Sequence, residues 1–202
     1  MSVGFSRIVC MFDWDGDALT LLSASDLTGL VEANHRALVE HENQVLVLAA
    51  AWADLHDRDL EHWSPLVERA RAVGGEGTPA VSEFAAAEFG ALQGVGMVSA
   101  WNLIAAALDL RHRLPKLWGQ VKAGQVRAWQ ARKVAEATRH LPWDACADVD
   151  DRLAGYLNTV PWPRFQKILA AAIAEADPPS PPNANSKPGP NSTSTPRSPR
   201  TG

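Results

Sequence analysis

A single line of mostly apolar residues, recurring at alternating intervals of four and three, constrains this chain more than any other feature. The nine positions of this heptad stripe are Leu27, Val31, Asn34, Leu38, His41, Val45, Leu48, Trp52 and Leu55. Only Asn34 and His41 interrupt its apolar character. The spacing keeps the stripe on one face of an α-helix for four heptads. With Ser25 or Asp26 as its N-cap, the sequence predicts a long N-terminal helix that ends near residues 57–59.

An apolar stripe of this length requires a complementary surface. We expect it to pack inside the domain, because the other predicted helices carry apolar residues that can cover it. A homodimer through the same stripe is the alternative. Asn34 and His41 then act as register residues, since a histidine in such a seam is more often a packed polar group than a metal ligand.

The rest of the chain carries almost no strand signal. Ala, Leu, Glu and Arg dominate between glycine and proline breaks, which favours an all-α fold in which the long helix packs with a multi-helix domain. Further helices are predicted at about residues 81–89, 97–113, 127–140, 142–157 and 162–176. Pro115 is expected to stop the second of these. The predicted organisation is an irregular arm at 1–23, a helical domain at 24–177 and a disordered Pro/Ser/Thr-rich tail at 178–202.

Several features bear on cellular location. The longest apolar run, residues 45–53, is well short of the roughly 20 residues required to span a bilayer. The N-terminus carries three acids among its first 17 residues and does not resemble a secretory signal. Cys10 and Cys146 are isolated and provide neither a disulfide framework nor a zinc site. These features predict a cytoplasmic protein without a membrane partner.

Two short motifs invite a ligand-binding interpretation that their details do not support. The stretch GGEGTP, residues 74–79, lacks the lysine and hydroxyl residue of a phosphate loop, so we expect a flexible turn in which Thr78 caps the next helix. The stretch DWDGD, residues 13–17, lacks the glycine and glutamate positions of a calcium loop. The histidines show no metal spacing. We therefore predict no catalytic residue, no metal ligand and no cofactor.

Residues 83–108 have the length and the small-residue turn of a helix-turn-helix unit. The predicted exposed face of the second helix consists of Ser99, Asn102, Ala106, Asp109 and Arg113. Its N-terminal positions include no Lys or Arg to meet base edges, and Asp109 would repel phosphate. A structural helical pair is therefore favoured over a DNA-reading unit.

Charge is distributed unevenly along the chain. Residues 110–140 carry eight Lys or Arg against one acid, whereas the whole chain has a net charge of -4. This asymmetry indicates either a polyanion partner or an internal charge match. Glu136 is expected to engage both Arg132 and Arg139 on one helix face. The candidate phosphate-contacting residues are those without an acid nearby in the sequence: Arg111, Arg113, Lys116 and Lys122.

Three stretches carry a family resemblance: AAWADLHD at 50–57, GGEGTPAVSEFAAAEFGAL at 74–92 and ALDLRHRLPKLWGQVKAGQVRAWQARKVAEATRHL at 107–141. They resemble the bacterial family called domain of unknown function 222, over about residues 11–177. Members of that family usually form the N-terminal part of HNH endonuclease-type proteins, in which a C-terminal ββα-metal module performs cleavage. The resemblance implies that this chain is truncated before that module, and no catalytic residue is carried over.

Two functions follow as expectations. The first, implied by the family association, is a non-catalytic helical domain that associates with DNA through residues 110–140. The second is a self-association or protein-interaction module without nucleic-acid binding, built on the long first helix.

Overall fold

The computed structural model describes residues 19–57 and 69–178. The predicted arm up to residue 18 and the predicted tail beyond residue 178 lie outside the described residues. Helices in the described part are α1 (Ala24–Leu55), α2 (Ala85–Gln93), α3 (Met97–Arg113), α4 (Pro115–Lys122), α5 (Ala128–Thr138), α6 (Trp143–Leu153) and α7 (Trp162–Ala176). The all-α prediction with a long N-terminal helix is confirmed.

The start of α1 lies slightly earlier than predicted. Ser23 is its N-cap: the Oγ atom of Ser23 accepts a hydrogen bond from the backbone N–H of Asp26 at 3.2 Å. In return, the Asp26 carboxylate accepts from the Ser23 backbone N–H at 3.3 Å. This reciprocal capping box satisfies two helix-end donors, which is why Asp26 occupies the third helical position rather than the cap.

The centre of the domain is α3, which contacts α1, α2, α4, α5 and α6. Every residue of α3 from Ile104 to Leu110 is buried. The C-terminal half of α1 packs against it with mostly small residues, including Ala49, Ala50 and Ala53, which let the two helix backbones approach closely. One continuous apolar core therefore links the C-terminal half of α1 with the remaining helices.

Two short strands depart from the all-helical expectation. β1 (Ala70–Ala72) and β2 (Ala80–Ser82) pair antiparallel, with Arg71 opposite Val81. Val81 was predicted to begin a helix, but its side chain is fully buried and α2 begins only at Ala85. The backbone N–H of Ser82 also donates to the carbonyl of His56 at 2.9 Å. Tertiary contacts at the end of α1 thus select strand geometry for residues that, apart from Val81, have little intrinsic strand preference.

Pro115 begins a helix that the sequence pattern did not predict. It occupies the first turn of α4, where its missing N–H removes no helical hydrogen bond. Asp150 on α6 caps this helix: its carboxylate oxygens accept from the backbone N–H groups of Lys116 at 2.8 Å and Leu117 at 3.1 Å. Burial raises the pKa of the Asp150 carboxyl, while these two hydrogen bonds oppose the shift. The cap fixes α4 against α6.

Asn43 holds the connection between α4 and α5 onto α1. Its Nδ2 atom donates to the carbonyls of Val121 and Val126, both at 2.9 Å. Gly124 lies in the same turn with a φ of 70°, a conformation that favours glycine.

Among the described residues, no single helix is long and apolar enough to cross a bilayer. The helices α2 and α3 reach the required length and apolar character only when taken together, and they are bent by 105° relative to each other.

The Asp150 cap can be tested against its exposed neighbour. We expect Asp150→Ala to lower the free energy of unfolding by about 1–2 kcal/mol, since two helix-end N–H groups are left without their acceptor. Asp151→Ala should leave it nearly unchanged, because Asp151 forms an exposed ion pair with Lys116. Urea denaturation of both variants measures the difference, and equal effects would contradict the capping role.

Candidate functional site

The basic segment, residues 110–140, is largely neutralised by acids of the same chain. Six of its eight cations lie within ion-pair distance of a carboxylate: Arg111 with Asp54 at 2.5 Å, Arg113 with Asp109 at 3.7 Å, Lys116 with Asp151 at 2.8 Å, Arg127 with Glu42 at 3.2 Å, Lys133 with Glu136 at 2.9 Å and Arg139 with Asp109 at 2.7 Å. Most of the acids lie on α1, α3 and α6. The geometry therefore favours the internal charge match over a polyanion partner for this segment.

Arg113, one of the four candidate phosphate contacts, is buried. Its side chain has no accessible surface, and its guanidinium donates to the backbone carbonyls of Arg139, at 3.0 Å, and Leu141. These hydrogen bonds hold the turn between α5 and α6 against the end of α3. A phosphate in solvent has no access to this guanidinium in the structure.

The glycine loop at residues 74–79 completes the surroundings of Arg113. The backbone N–H of Gly75 donates to Asp109 Oδ1 at 2.7 Å, and Arg139 Nε donates to Asp109 Oδ2 at 2.7 Å. A Cβ atom on Gly75 would lie 1.8 Å from Arg113 Nη1, so the loop backbone fits only without a side chain. The loop is thus anchored by hydrogen bonds, and Thr78 donates to the Gly75 carbonyl instead of capping α2.

The other three candidates differ in their surroundings. Arg111 is partly exposed and bound to Asp54, and Lys116 is exposed and bound to Asp151. Lys122 is exposed at the end of α4 and has no acid within ion-pair distance among the described residues. Of the four, Lys122 alone combines exposure with the lack of an acid partner in that part of the chain.

Glu136 does not bridge Arg132 and Arg139 as predicted. It accepts a hydrogen bond from Lys133 at 2.9 Å, and this contact is the main reason that its pKa is lowered. Arg139 instead reaches the buried Asp109. Arg132 is exposed and, within the described ranges, forms no ion pair, so it joins Lys122 as a cation open to an external anion.

The helix pair α2 and α3 has the bend of a helix-turn-helix unit but only the first part of the predicted exposed face. The axes meet at 105° across a turn at residues 94–96. Ala106, Asp109 and Arg113, predicted to be exposed, are buried, because α3 is the central helix of the domain. Ser99 and Asn102 are exposed as predicted, but the largest exposed side chains of the corner are apolar, including Leu92 and Val98. This surface carries no Lys or Arg to meet phosphates or guanine edges.

The described residues leave most of the heptad stripe of α1 exposed before Trp52, and for these positions they do not provide the packing within the domain that the sequence predicted. Val31 is 62% exposed, Leu38 48% and Leu48 57%. The line that α1 buries lies on a different face and comprises Asn43, Leu46, Ala49, Ala50 and Ala53. Residues 24–42, which we call the projecting half of α1, include no buried residue.

The stripe meets the domain only near its C-terminal end. Trp52 donates from Nε1 to the carbonyl of Ala85 at 2.9 Å, and its ring packs against Phe89; both partners lie on α2. The part of the stripe before Trp52, from Leu27 to Leu48, has no comparable contact. This free length spans three heptads.

A groove of about 1060 Å³ lies between α1 and the connection from α4 to α5. Its lining includes Val39 and Val121 together with Glu40, Lys122 and Asn43. The Oδ1 atom of Asn43 is buried there without a hydrogen-bond partner. Charges of both signs and apolar groups share the groove, so its chemistry does not select one class of ligand.

No group of three metal-ligating side chains occurs within residues 19–57 and 69–178. Burial raises the pKa of the Cys146 thiol, which keeps it in the less reactive neutral form.

Comparisons with protein-family models, with curated proteins and with solved structures find no match. The family resemblance inferred from the sequence stays a prediction.

The close approach of Gly75 to Arg113 generates a paired prediction. We expect Gly75→Ala to lower the free energy of unfolding by about 3–5 kcal/mol, because the new Cβ displaces a buried, hydrogen-bonded guanidinium. Gly119→Ala, in the interior of α4 with nothing within 4 Å of the added Cβ, should raise it by about 0.5–1 kcal/mol. Thermal and urea unfolding of both variants provide the measurement, and a neutral Gly75→Ala would show that the loop is not anchored.

Proposed function

We propose that this helical domain is a self-association module that pairs through the heptad stripe of α1. The observation that carries the proposal is the stripe itself: a regularly spaced apolar line that the described part of the domain leaves exposed. Monomeric proteins rarely expose contiguous apolar surfaces of this extent without a binding role. A second copy presents the same heptad spacing, which is what knobs-into-holes packing requires.

The energetics favour pairing. Burying one large aliphatic side chain contributes about 1.5–3 kcal/mol. Leu27, Val31, Leu38 and Leu48 are each roughly half exposed or more, and two copies contribute twice that number. The gain competes with the reduced translational and rotational freedom of the associated copies. Three heptads is also about the minimum length over which a coiled-coil pattern is expected to persist.

The flanks of the stripe present little charge to a partner. One side carries Leu30, Ala37 and Gln44, none of which is ionised. The other carries Thr28, His35 and Glu42, and Glu42 already pairs with Arg127. Two acidic helices can therefore approach along this face without placing unpaired carboxylates opposite each other. The acids Glu32 and Glu40 lie elsewhere on the helix surface.

Nucleic-acid association through residues 110–140 is the second candidate, in the setting of an HNH endonuclease-like protein that the family resemblance implies. The observation that favours it is the exposure of Lys122 and Arg132 without acid partners in the described residues. Arg111 and Lys116 can contact a phosphate only if it displaces their present ion-pair partners, Asp54 and Asp151. The two candidate functions use different surfaces and can be tested separately.

The first test replaces the stripe leucine nearest the middle of the free length. Leu38→Asp should shift the protein from dimer to monomer and weaken dimerisation by at least about 100-fold, since each copy buries one leucine fewer and places a carboxylate in the seam. Sedimentation equilibrium over a concentration series measures the effect. Val31→Asp should act in the same direction, whereas Val98→Asp, equally apolar and 70% exposed but on α3, should leave the dimer unchanged.

The outcomes separate the competing interfaces. If the dimer persists in both Leu38→Asp and Val31→Asp, the stripe is not its interface. If Val98→Asp dissociates the dimer, the interface lies at the corner between α2 and α3. Protein that is monomeric at all concentrations overturns the proposal. Circular dichroism spectra of the variants establish that the domain fold is retained.

The second test concerns nucleic acid. If the basic segment binds duplex DNA, the double variant Lys122→Gln and Arg132→Gln should reduce the slope of log affinity against log salt by about two units, one for each cation that no longer meets a phosphate. Lys133→Gln is the matched control, because Lys133 pairs with Glu136. Fluorescence anisotropy with a labelled duplex measures the slopes. Equal slopes in the parent protein and both variants would remove Lys122 and Arg132 from the phosphate-contacting set.

A further inference from the structure

We propose that the nucleic acid bound by this domain is single-stranded, and that one of its bases stacks on an aromatic platform formed by Trp129 and Trp162. This proposal rests on the second candidate function, nucleic-acid association through residues 110–140. It adds the class of nucleic acid and the side chain that contacts a base, and it does not depend on self-association through α1.

The aromatic platform joins the first turns of α5 and α7. The rings of Trp129 and Trp162 are in edge contact, with their centroids 4.7 Å apart. Trp162 in turn stacks on the buried ring of Phe165 at a centroid distance of 5.4 Å. The outer ring is therefore held by packing before any ligand binds, which lowers the entropic cost of binding.

Trp129 leaves an aromatic face open to solvent. Its exposed fraction is 38%, and an edge contact occupies at most one face of a ring, so Trp162 leaves the other face uncovered. Trp143 is similarly exposed, at 41%, but its ring packs on the glycine loop, where a Cβ atom on Gly77 would lie 2.4 Å from it. The two tryptophans are thus equally exposed and differ in what their rings contact.

The chain around the platform is positively charged. No acid occurs in residues 110–135 or in residues 154–174. On the exposed face of α5, Arg132 follows Trp129 by three residues, a separation at which side chains on a helix are neighbours. The helix α7 adds two exposed cations that form no ion pair within the described ranges: Arg164 and Lys167. A negatively charged partner complements this surface.

Arg132 is the cation best placed beside the platform. The only acid on α5, Glu136, is bound to Lys133. Lys122 lies farther away, in the groove beside α1, and two acids of α1 line the same groove: Glu32 and Glu40. A phosphate next to the stacked base therefore meets Arg132, and Lys122 contacts the strand at a greater distance from the platform.

An unpaired base matches both parts of this surface. Every base has a π face that stacks on an aromatic side chain, and sites for single strands combine such side chains with cations that follow the phosphates. In a duplex, the faces of each internal base are stacked on its neighbours, so an indole ring would reach them only by unstacking a base step. An acidic polypeptide complements the cations but offers little to stack on the indole face.

Fluorescence anisotropy of the full-length protein with a labelled oligothymidine tests the proposal, since oligothymidine does not pair with itself. Trp129→Ala should weaken binding at least about fivefold without changing the slope of log affinity against log salt, because the indole carries no charge. Trp129→Phe, which keeps an aromatic face, should retain most of the affinity. Trp143→Ala is the matched control and should leave binding unchanged. Circular dichroism establishes that each variant is folded.

The outcomes distinguish this proposal from the functions already considered. Equal affinity of the parent protein and Trp129→Ala for oligothymidine would overturn the stacking role. Tighter binding to a duplex of the same length would overturn the single-strand assignment and leave nucleic-acid association standing. Tighter binding to polyglutamate would assign the surface to an acidic protein partner instead. No binding to either nucleic acid would overturn both this proposal and the second candidate function, while sedimentation still decides self-association.

Discussion

The buried carboxylate of Asp109 joins three parts of the chain that are distant in sequence. One oxygen accepts the backbone N–H of Gly75, the other accepts Nε of Arg139, and the guanidinium of Arg113 lies 3.7 Å away. Because a carboxylate without partners in a protein interior is costly, its acceptance of the loop amide and of Arg139 makes the positions of β1, β2, α3 and α5 interdependent. Arg113 extends the connection to the start of α6 through the carbonyl of Leu141.

Pairing between charges that are distant in the sequence also explains the uneven charge distribution along the chain. Asp54 and Glu42 on α1 contact Arg111 and Arg127, which lie 57 and 85 residues away in the sequence. A block of positive charge in one segment therefore complements negative charge in another across the fold. Charge asymmetry along a sequence reports on contacts within the chain as readily as on an external partner, and only the cations without an internal partner carry information about ligands.

Sequence patterns predicted the elements whose signals are local. The four-three spacing identified α1, and proline and glycine breaks located α3, α5, α6 and α7 within a few residues. The strands were missed because residues 70–72 and 80–82, apart from Val81, have little strand preference, and contacts with the end of α1 fix their geometry. The role of Pro115 was misjudged because a proline that ends one helix can equally begin the next.

The candidate phosphate contacts were harder to judge from sequence, because acids remote in the chain determine their environment. Arg113 was predicted to be available although Asp109 lies one helical turn before it, and the turn after α5 supplies further carbonyl acceptors that no sequence pattern reveals. The stripe was recognised, but not the face that α1 buries. That face is built from alanines and Asn43, whose periodicity is weaker than that of the leucines and valines.

The projecting half of α1 has a further consequence for the protein in dilute solution. It contains 19 residues, and an isolated helix of about this length is only marginally stable in water. Apart from the Glu42–Arg127 ion pair and the groove beside residues 121–127, the described residues give it few contacts, so its backbone hydrogen bonds are maintained mainly by the Ser23 cap and by continuity with the packed second half. In the proposed pair, the helical content of this half is coupled by mass action to occupancy of the stripe, so that its order increases with the protein concentration.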